Sequence, residues 1–259
     1  MTLEHHANPT AKIAIITGGS RGIGRSTVLN LAKRGVHSIF TYHSNQAQAN
    51  EVVGLVTQAG AKAIALQLDT AQAGLFDGFA QQVQASLREL GASRFDYLVN
   101  NAGTSSNSSF ANTTEAELDA LFAVHFKGVF LLTQRLVPLM HDGGRIVNIS
   151  SGLARFAMPN RAAYGSIKAA VESLTRYMAV ELAPRRIAAN VIAPGAIATD
   201  FSGGVVRDNA EVNKLVASNT ALGRVGLPED VGPVIAGLLS NEFSWINAQR
   251  IEVAGGVHI

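Results

Sequence analysis

Six short apolar runs recur along this chain, each followed by a longer amphipathic stretch. The runs are Ile13–Ile16, Ser38–Tyr42, Ala63–Leu66, Tyr97–Val99, Arg145–Ile149 and Asn190–Ile192. They are nearly continuous rather than alternating, as in strands covered on both faces of a parallel sheet. The stretches between them read as helices over 23–34, 45–59, 72–90, 114–140, 163–183 and 228–240. Pro138 and Pro184 stand where helices stop. A last strand is expected over 249–253. Strand–helix alternation with no break in composition predicts one doubly wound α/β domain, with a mostly parallel sheet of about seven strands and helices on both faces. Ligands of such sheets sit beyond the carboxyl ends of the strands. Gly18–Gly24, Asn100, Ser150–Ser151 and Pro194–Gly195 all follow strand ends, so one rim should gather them.

A chain of 259 residues with 47% hydrophobic and 15% charged residues can bury a large core. Lys and Arg exceed Asp and Glu by 21 − 19 = 2, and no run of five like charges occurs, so nucleic acid is not an expected partner. Cysteine is absent, which excludes disulfides and thiolate metal sites and is compatible with the cytoplasm. No metal site is expected. Residues 1–10 are polar, lack the layout of a secretory signal and read as a disordered tail ahead of a single domain over 11–259; His5 and His6 belong to that tail. No stretch of 18 apolar residues occurs, so no membrane partner is expected.

Thr17-Gly18-Gly19-Ser20-Arg21-Gly22-Ile23-Gly24 joins the first strand to the first helix. Glycines allow a tight turn and close approach to phosphate, and a helix N-terminus attracts the anion. An acidic residue about 20 positions further on would select NAD(H) by holding its ribose hydroxyls. Arg25 to Asn50 contains no Asp or Glu. Arg21, Thr41, His43 and Ser44 are candidates to receive a 2′-phosphate instead, which favours NADP(H) and leaves NAD(H) possible. Asp69 closes the third strand, where it can meet an adenine amino group or cap a helix.

Tyr164 and Lys168 are i and i+4 on the fifth helix and so share a face, and Ser151 ends the preceding strand. A lysine cation beside a phenol favours the phenolate, so Lys168 is expected to depress the Tyr164 pKa.

In order and spacing, Thr17–Gly24, Asn100-Asn101-Ala102-Gly103, Ser151, Tyr164 with Lys168, and Pro194-Gly195 with Thr199 resemble the short-chain dehydrogenase/reductase family, in its compact single-domain form, over about residues 11–257. The resemblance implies a Rossmann-type fold and a division of roles. Gly18, Ser20, Arg21, Gly22, Ile23 and Gly24 would cradle pyrophosphate and ribose, with Asp69 at adenine and Asn100, Ala102 and Gly103 lining the cleft. Tyr164 would be the general acid/base. Lys168 would hold the nicotinamide ribose, and Ser151 the substrate oxygen. Pro194, Gly195, Ile197 and Thr199 would meet the nicotinamide end. Helices 114–140 and 163–183 would join subunits into a homotetramer or homodimer. The chain departs from the family at His125, which stands where an Asn commonly helps to hold a relay water behind the lysine. Much of that role belongs to the backbone carbonyl, which any residue offers, so His125 is expected to be tolerated, with room for an altered pH dependence because a histidine titrates near ~6.5.

The activity implied is hydride transfer between nicotinamide and a carbonyl or secondary alcohol, as an NADPH-dependent ketone or 3-oxoacyl-type reductase. An NAD-dependent alcohol dehydrogenase and a catalytically silent NADP-binding regulator are the alternatives. The long segment 195–222, with a helix-like piece at 206–219, reads as a substrate lid. Phe156, Met158 and Phe201 suggest a partly apolar pocket, to which Arg155 and Asn160 can add polar contacts.

Overall fold

The computed structural model describes residues 11–259; the expectations for 1–10, His5 and His6 included, lie outside the described residues. Seven parallel strands form one sheet in the order β3-β2-β1-β4-β5-β6-β7. They are β1 Ile13–Ile16, β2 His37–Tyr42, β3 Ala63–Gln67, β4 Phe95–Asn100, β5 Met140–Ile149, β6 Ala188–Pro194 and β7 Arg250–Val253. The helices are α1 Gly22–Ala32, α2 Gln46–Gln58, α3 Phe76–Glu89, α4 Glu115–Phe122, α5 Gly128–Leu136, α6 Ala162–Glu181, α7 Val205–Asp208, α8 Ala210–Ser218 and α9 Pro228–Leu238.

Both faces of the sheet are covered, which is why the strand runs lack alternation. Ala14 and Ile16 pack with Val28, Leu31, Val231 and Ile235 on one side. Ile13 and Ile15 pack with Phe79, Val83, Leu132 and Leu136 on the other. The winding reverses between β1 and β4, neighbours in the sheet though distant in the chain. Such a reversal opens a crevice at the strand ends. The glycine-rich loop leaves β1 there, and Asn101–Gly103 leaves β4 beside it.

Two elements differ from the sequence reading. The helix expected over 114–140 opens with a Thr114/Glu117 capping box but is interrupted by a π-turn, Ala123–Lys127, centred on His125. Its last residues tighten into a 3₁₀ turn at Val137–Leu139, and Met140 already belongs to β5. Glu115–Leu139 as a whole is long and apolar enough to cross a membrane by length and composition, a property that apolar runs alone did not reveal. Leu132 and Leu136 nevertheless lie in the core beneath the sheet. The helix-like piece of the 195–222 segment splits into α7 and α8, because Asn209 is extended and caps α8 by accepting from Val212 N.

Candidate active site

The glycine-rich loop is built to leave space. Gly18 and Gly22 take left-handed φ values of +67° and +55°, accessible to glycine at no steric cost. A Cβ on Gly24 would collide with the Gly18 carbonyl. No side chain caps the N-terminus of α1 and no acidic residue lies in its first turn, so its free N–H groups suit an anion. These features fit a dinucleotide pyrophosphate.

Residues outside the glycine pattern hold this loop. Thr17 Oγ1 accepts from Asn101 N at 2.9 Å and from Ala102 N at 3.0 Å. Asn101 Nδ2 donates to the carbonyls of Thr17 at 2.9 Å and Gly18 at 3.0 Å. Asn101 was not singled out from the sequence, although its place in Asn-Asn-Ala-Gly offered the signal. Ser20, Arg21 and Ile23 occupy the turn, with the Arg21 side chain largely exposed.

Several expected ligands are engaged within the protein. Thr41 is buried and its Oγ1 accepts from Gly18 N at 3.0 Å, so it supports the loop rather than facing a phosphate. Asn100 is buried too and its side chain donates to Thr133 Oγ1 and Asn148 Oδ1, tying β4 to α5 and β5, while the residue lines a small cavity with Thr17 and Ala102. Asp69 accepts from Ala71 N at 2.9 Å and from Gln72 Nε2 at 2.8 Å, which makes it a turn cap. Those bonds, aided by His43 at 3.8 Å, hold its carboxyl below the usual range. His43 and Ser44 are exposed at the end of β2, which carries no carboxylate of its own, although Asp69 beyond β3 lies 3.8 Å from His43 Nε2.

The 150s loop, α6 and the π-turn bring the reactive groups together. Ser151 is extended and caps the 3₁₀ turn Gly152–Ala154, its Oγ accepting from Leu153 N at 3.2 Å. Ser151 also lies near enough to Tyr164 to pull its titration downward. Tyr164 and Lys168 project from the same face of α6 and are both buried. The expected depression of the phenol is not what the structure gives. Burial pushes Tyr164 up to about 12, against the smaller downward pull of Ser151 and Arg161. Burial pulls Lys168 down to about 7, so the charge meant to stabilise a phenolate is itself weakened. Lys168 Nζ donates to the Ile149 carbonyl at 2.8 Å.

His125 is buried in the π-turn, a distortion that recurs at functional sites. Its Nε2 lies 2.7 Å from the Thr104 carbonyl and its ring stands edge-on to Tyr164. Burial, with Lys168 nearby, holds it well below 6.5, so it is a neutral imidazole at physiological pH and does not supply the titration its identity suggested.

Downstream, Pro194 ends β6 and Gly195 N donates to the Val253 carbonyl at 3.1 Å. Ile197 bridges to Gly226. Thr199 faces Gly22 and accepts from Phe201 N. Phe201 then returns to within 6.1 Å of the Tyr164 ring. Ala102 and Thr199 thus converge with the glycine loop, Gly103 with His125, and Phe201 with Tyr164.

The family model described as enoyl-(acyl carrier protein) reductase matches residues 18–258. A short-chain type dehydrogenase/reductase of Picea abies is 39% identical over 261 residues, covering 95% of this chain and 92% of the relative. The chain is a short-chain dehydrogenase/reductase. Among solved members of this family, the promiscuous reductase LugOII, which catalyses keto-reduction at C1 during lugdunomycin biosynthesis, is 39% identical with a TM-score of 0.89, over 98% of this chain and 100% of that one. The angucycline C-6 ketoreductase LanV with bound NADP is 32% identical with a TM-score of 0.90, over 97% and 98%. The Rossmann-type sheet expected of a short-chain dehydrogenase/reductase is therefore the observed fold.

Proposed function

We propose that this short-chain dehydrogenase/reductase is an NADPH-dependent ketoreductase that protonates the nascent alkoxide through Tyr164. The observation that carries this reading is Tyr164 and buried Lys168 on one face of α6 with Ser151 close to the phenol, together with the glycine cradle after β1 and a stretch from Arg25 to Asn50 without Asp or Glu. A phenol held near 12 keeps its proton at neutral pH and is ready to give it to a stronger base. Ser151 fixes the substrate oxygen and shares its developing charge. NADPH, when bound, supplies the hydride. Arg21, His43 and Ser44 would hold its 2′-phosphate, while Ile197 and Thr199 border the nicotinamide end.

The rim of the site favours a broad apolar carbonyl. The Phe201 ring stands tilted beside Tyr164, 6.1 Å between centres, and Met158, in the loop that leads into α6, is exposed. A flat aromatic or polycyclic ketone fits such a wall, and LugOII and LanV are both described as ketone-reducing enzymes. The segment 195–222 acts as the lid; the Ser202 and Ser105 hydroxyls, 2.8 Å apart, tie it to the loop after β4.

The subunits assemble as a homodimer or homotetramer in the cytoplasm. Leu118, Phe122 and Phe130 on the Glu115–Leu139 helix, with Tyr177 and Val180 on α6, leave an apolar face for a second copy. Light scattering tests the assembly, with a monomer excluding it. A panel of aromatic, aliphatic and 3-oxoacyl carbonyls with NADPH and NADH, read by absorbance of the reduced nicotinamide, tests the activity. Binding of NADPH with no turnover across the panel would favour a silent regulator, and tighter NADH binding an NAD-dependent dehydrogenase.

A further inference from the structure

An ion-pair chain runs beneath the 150s loop and contains none of the residues assigned above to catalysis. Its centre is Arg250, the first residue of β7. Arg250 Nε donates to Glu172 Oε1 at 2.7 Å, Nη1 to Glu252 Oε2 at 3.3 Å, and Nη2 to the Ser151 carbonyl at 3.3 Å. All three guanidinium nitrogens are thereby committed to different acceptors. Glu172 lies one turn beyond Lys168 on α6 and also accepts from Ser150 Oγ at 2.7 Å. Ser150 Oγ is 3.3 Å from the Lys168 carbonyl. Glu252 continues the chain to Arg155, which donates to the carbonyls of Val257 and His258.

The chain joins three elements whose relative placement sets the reactive geometry. Ser151 follows β5, Tyr164 and Lys168 ride on α6, and β7 supports the edge of the sheet beyond β6. The Arg250 and Glu172 side chains are 23% and 13% exposed, so their interaction is little screened by water. A planar fork with fixed N–H directions holds three acceptors more rigidly than a point charge can.

We propose that Arg250 is a positioning residue for Ser151: by gripping the Ser151 carbonyl and Glu172 together, it fixes the serine hydroxyl against Tyr164. This rests on the reading of Ser151 and Tyr164 given under Proposed function. Arg250 acts only through the loop and the helix, so its loss should lower the rate of the hydride step while leaving cofactor binding intact. A positioning error of about 1 Å can cost on the order of 100-fold in rate.

The test compares Arg250→Met, Arg250→Lys, Glu172→Gln and the Glu172→Gln/Arg250→Met double variant, with Tyr164→Phe alongside. NADPH dissociation constant, melting temperature, kcat, KM and the isotope effect with 4-deuterated NADPH are read for each on the best carbonyl of the panel. Arg250→Met is expected to lower kcat about 10- to 100-fold with NADPH affinity within about 2-fold and a raised isotope effect. Arg250→Lys should recover part of the rate. The double variant should be no slower than Arg250→Met, because both changes break one unit. Should Arg250→Met fail to fold, Glu172→Gln, which keeps the shape and an acceptor for Ser150, carries the same expectation at smaller size. An unchanged kcat in a folded Arg250 or Glu172 variant, or a loss matched wholly by the unfolded fraction, overturns the proposal. Turnover retained by Tyr164→Phe would instead overturn the underlying acid/base reading, whatever the Arg250 variants do.

Discussion

Lys168 directs its ammonium group to the Ile149 carbonyl, 2.8 Å away, and lies 5.7 Å from the centre of the Tyr164 ring. Ile149 closes β5 just ahead of Ser150 and Ser151. The lysine thus ties the helix bearing Tyr164 to the strand that delivers Ser151. Both Lys168 and Tyr164 lie out of water, which disfavours the charged form of each. The free protein therefore stores a neutral phenol beside a lysine that is charged only in part near neutrality.

Stability of the cofactor-free protein should rise with pH between about 7 and 10.5 on account of Lys168. The unfolded lysine keeps its proton up to the higher value and the folded one loses it near the lower, so the unfolded chain binds more protons in between. Tyr164 acts in the opposite sense above 10, where the unfolded phenol ionises first and stability falls toward about 12. Lys168→Met should flatten the rise and stabilise the free protein at pH 7 by roughly 2 kcal/mol, part of the ~1.4 kcal/mol per pKa unit recovered. Urea melts from pH 6.5 to 10 read this; a slope identical to wild type in Lys168→Met would refute it.

Tyr164→Phe should lower turnover by about 10³-fold or more, since it removes the only proton donor proposed at the substrate oxygen. Ser151→Ala should cost about 10²-fold, the usual loss of one donor to a developing oxyanion. NADPH binding, followed by quenching of protein fluorescence or by calorimetry, should change little in either variant.

Arg21→Ala should weaken NADPH by about 10-fold and NADH by less than about 2-fold, because a hydrogen bond to a charged phosphate is worth roughly 1.5–3 kcal/mol. The Arg21 guanidinium is exposed enough to turn toward such a group, its one ion pair among the described residues being a 3.6 Å contact with Asp200. Equal weakening of both cofactors would place the phosphate elsewhere.

Gly103→Ala should destabilise the protein by about 1–3 kcal/mol, the usual cost of overpacking. The added Cβ would lie 2.6 Å from His125 Cε1, and the ring is pinned by its bond to Thr104. His125→Asn, with a smaller side chain, should relieve the clash, so the two changes should be non-additive in a double-mutant cycle. His125→Asn alone should leave the pH–rate profile between 6 and 7 unaltered, because the buried imidazole is already neutral there.

Much of the site was legible as chain order. The glycine spacing at 18–24, the Ser151–Tyr164–Lys168 pattern and the acid-free end of β2 need no tertiary information, since each reflects a local turn, a helix face or a strand end. Side-chain direction was not legible. Asn100 and Thr41 read as ligands because they follow or end strands at the rim, yet both point inward to satisfy buried partners. Asn101, one residue further on, does the work at the loop. Glu172 and Arg250 are separated by 78 positions and meet only because β7 joins the sheet beside β6.

The sequence by itself determined the layered α/β architecture and which segment ends share a rim, because apolar periodicity and turn chemistry are local properties. Only the tertiary structure decided the charge states of Tyr164, Lys168 and His125. Those depend on how much water the packed helices exclude, and a tyrosine four residues before a lysine carries no record of that.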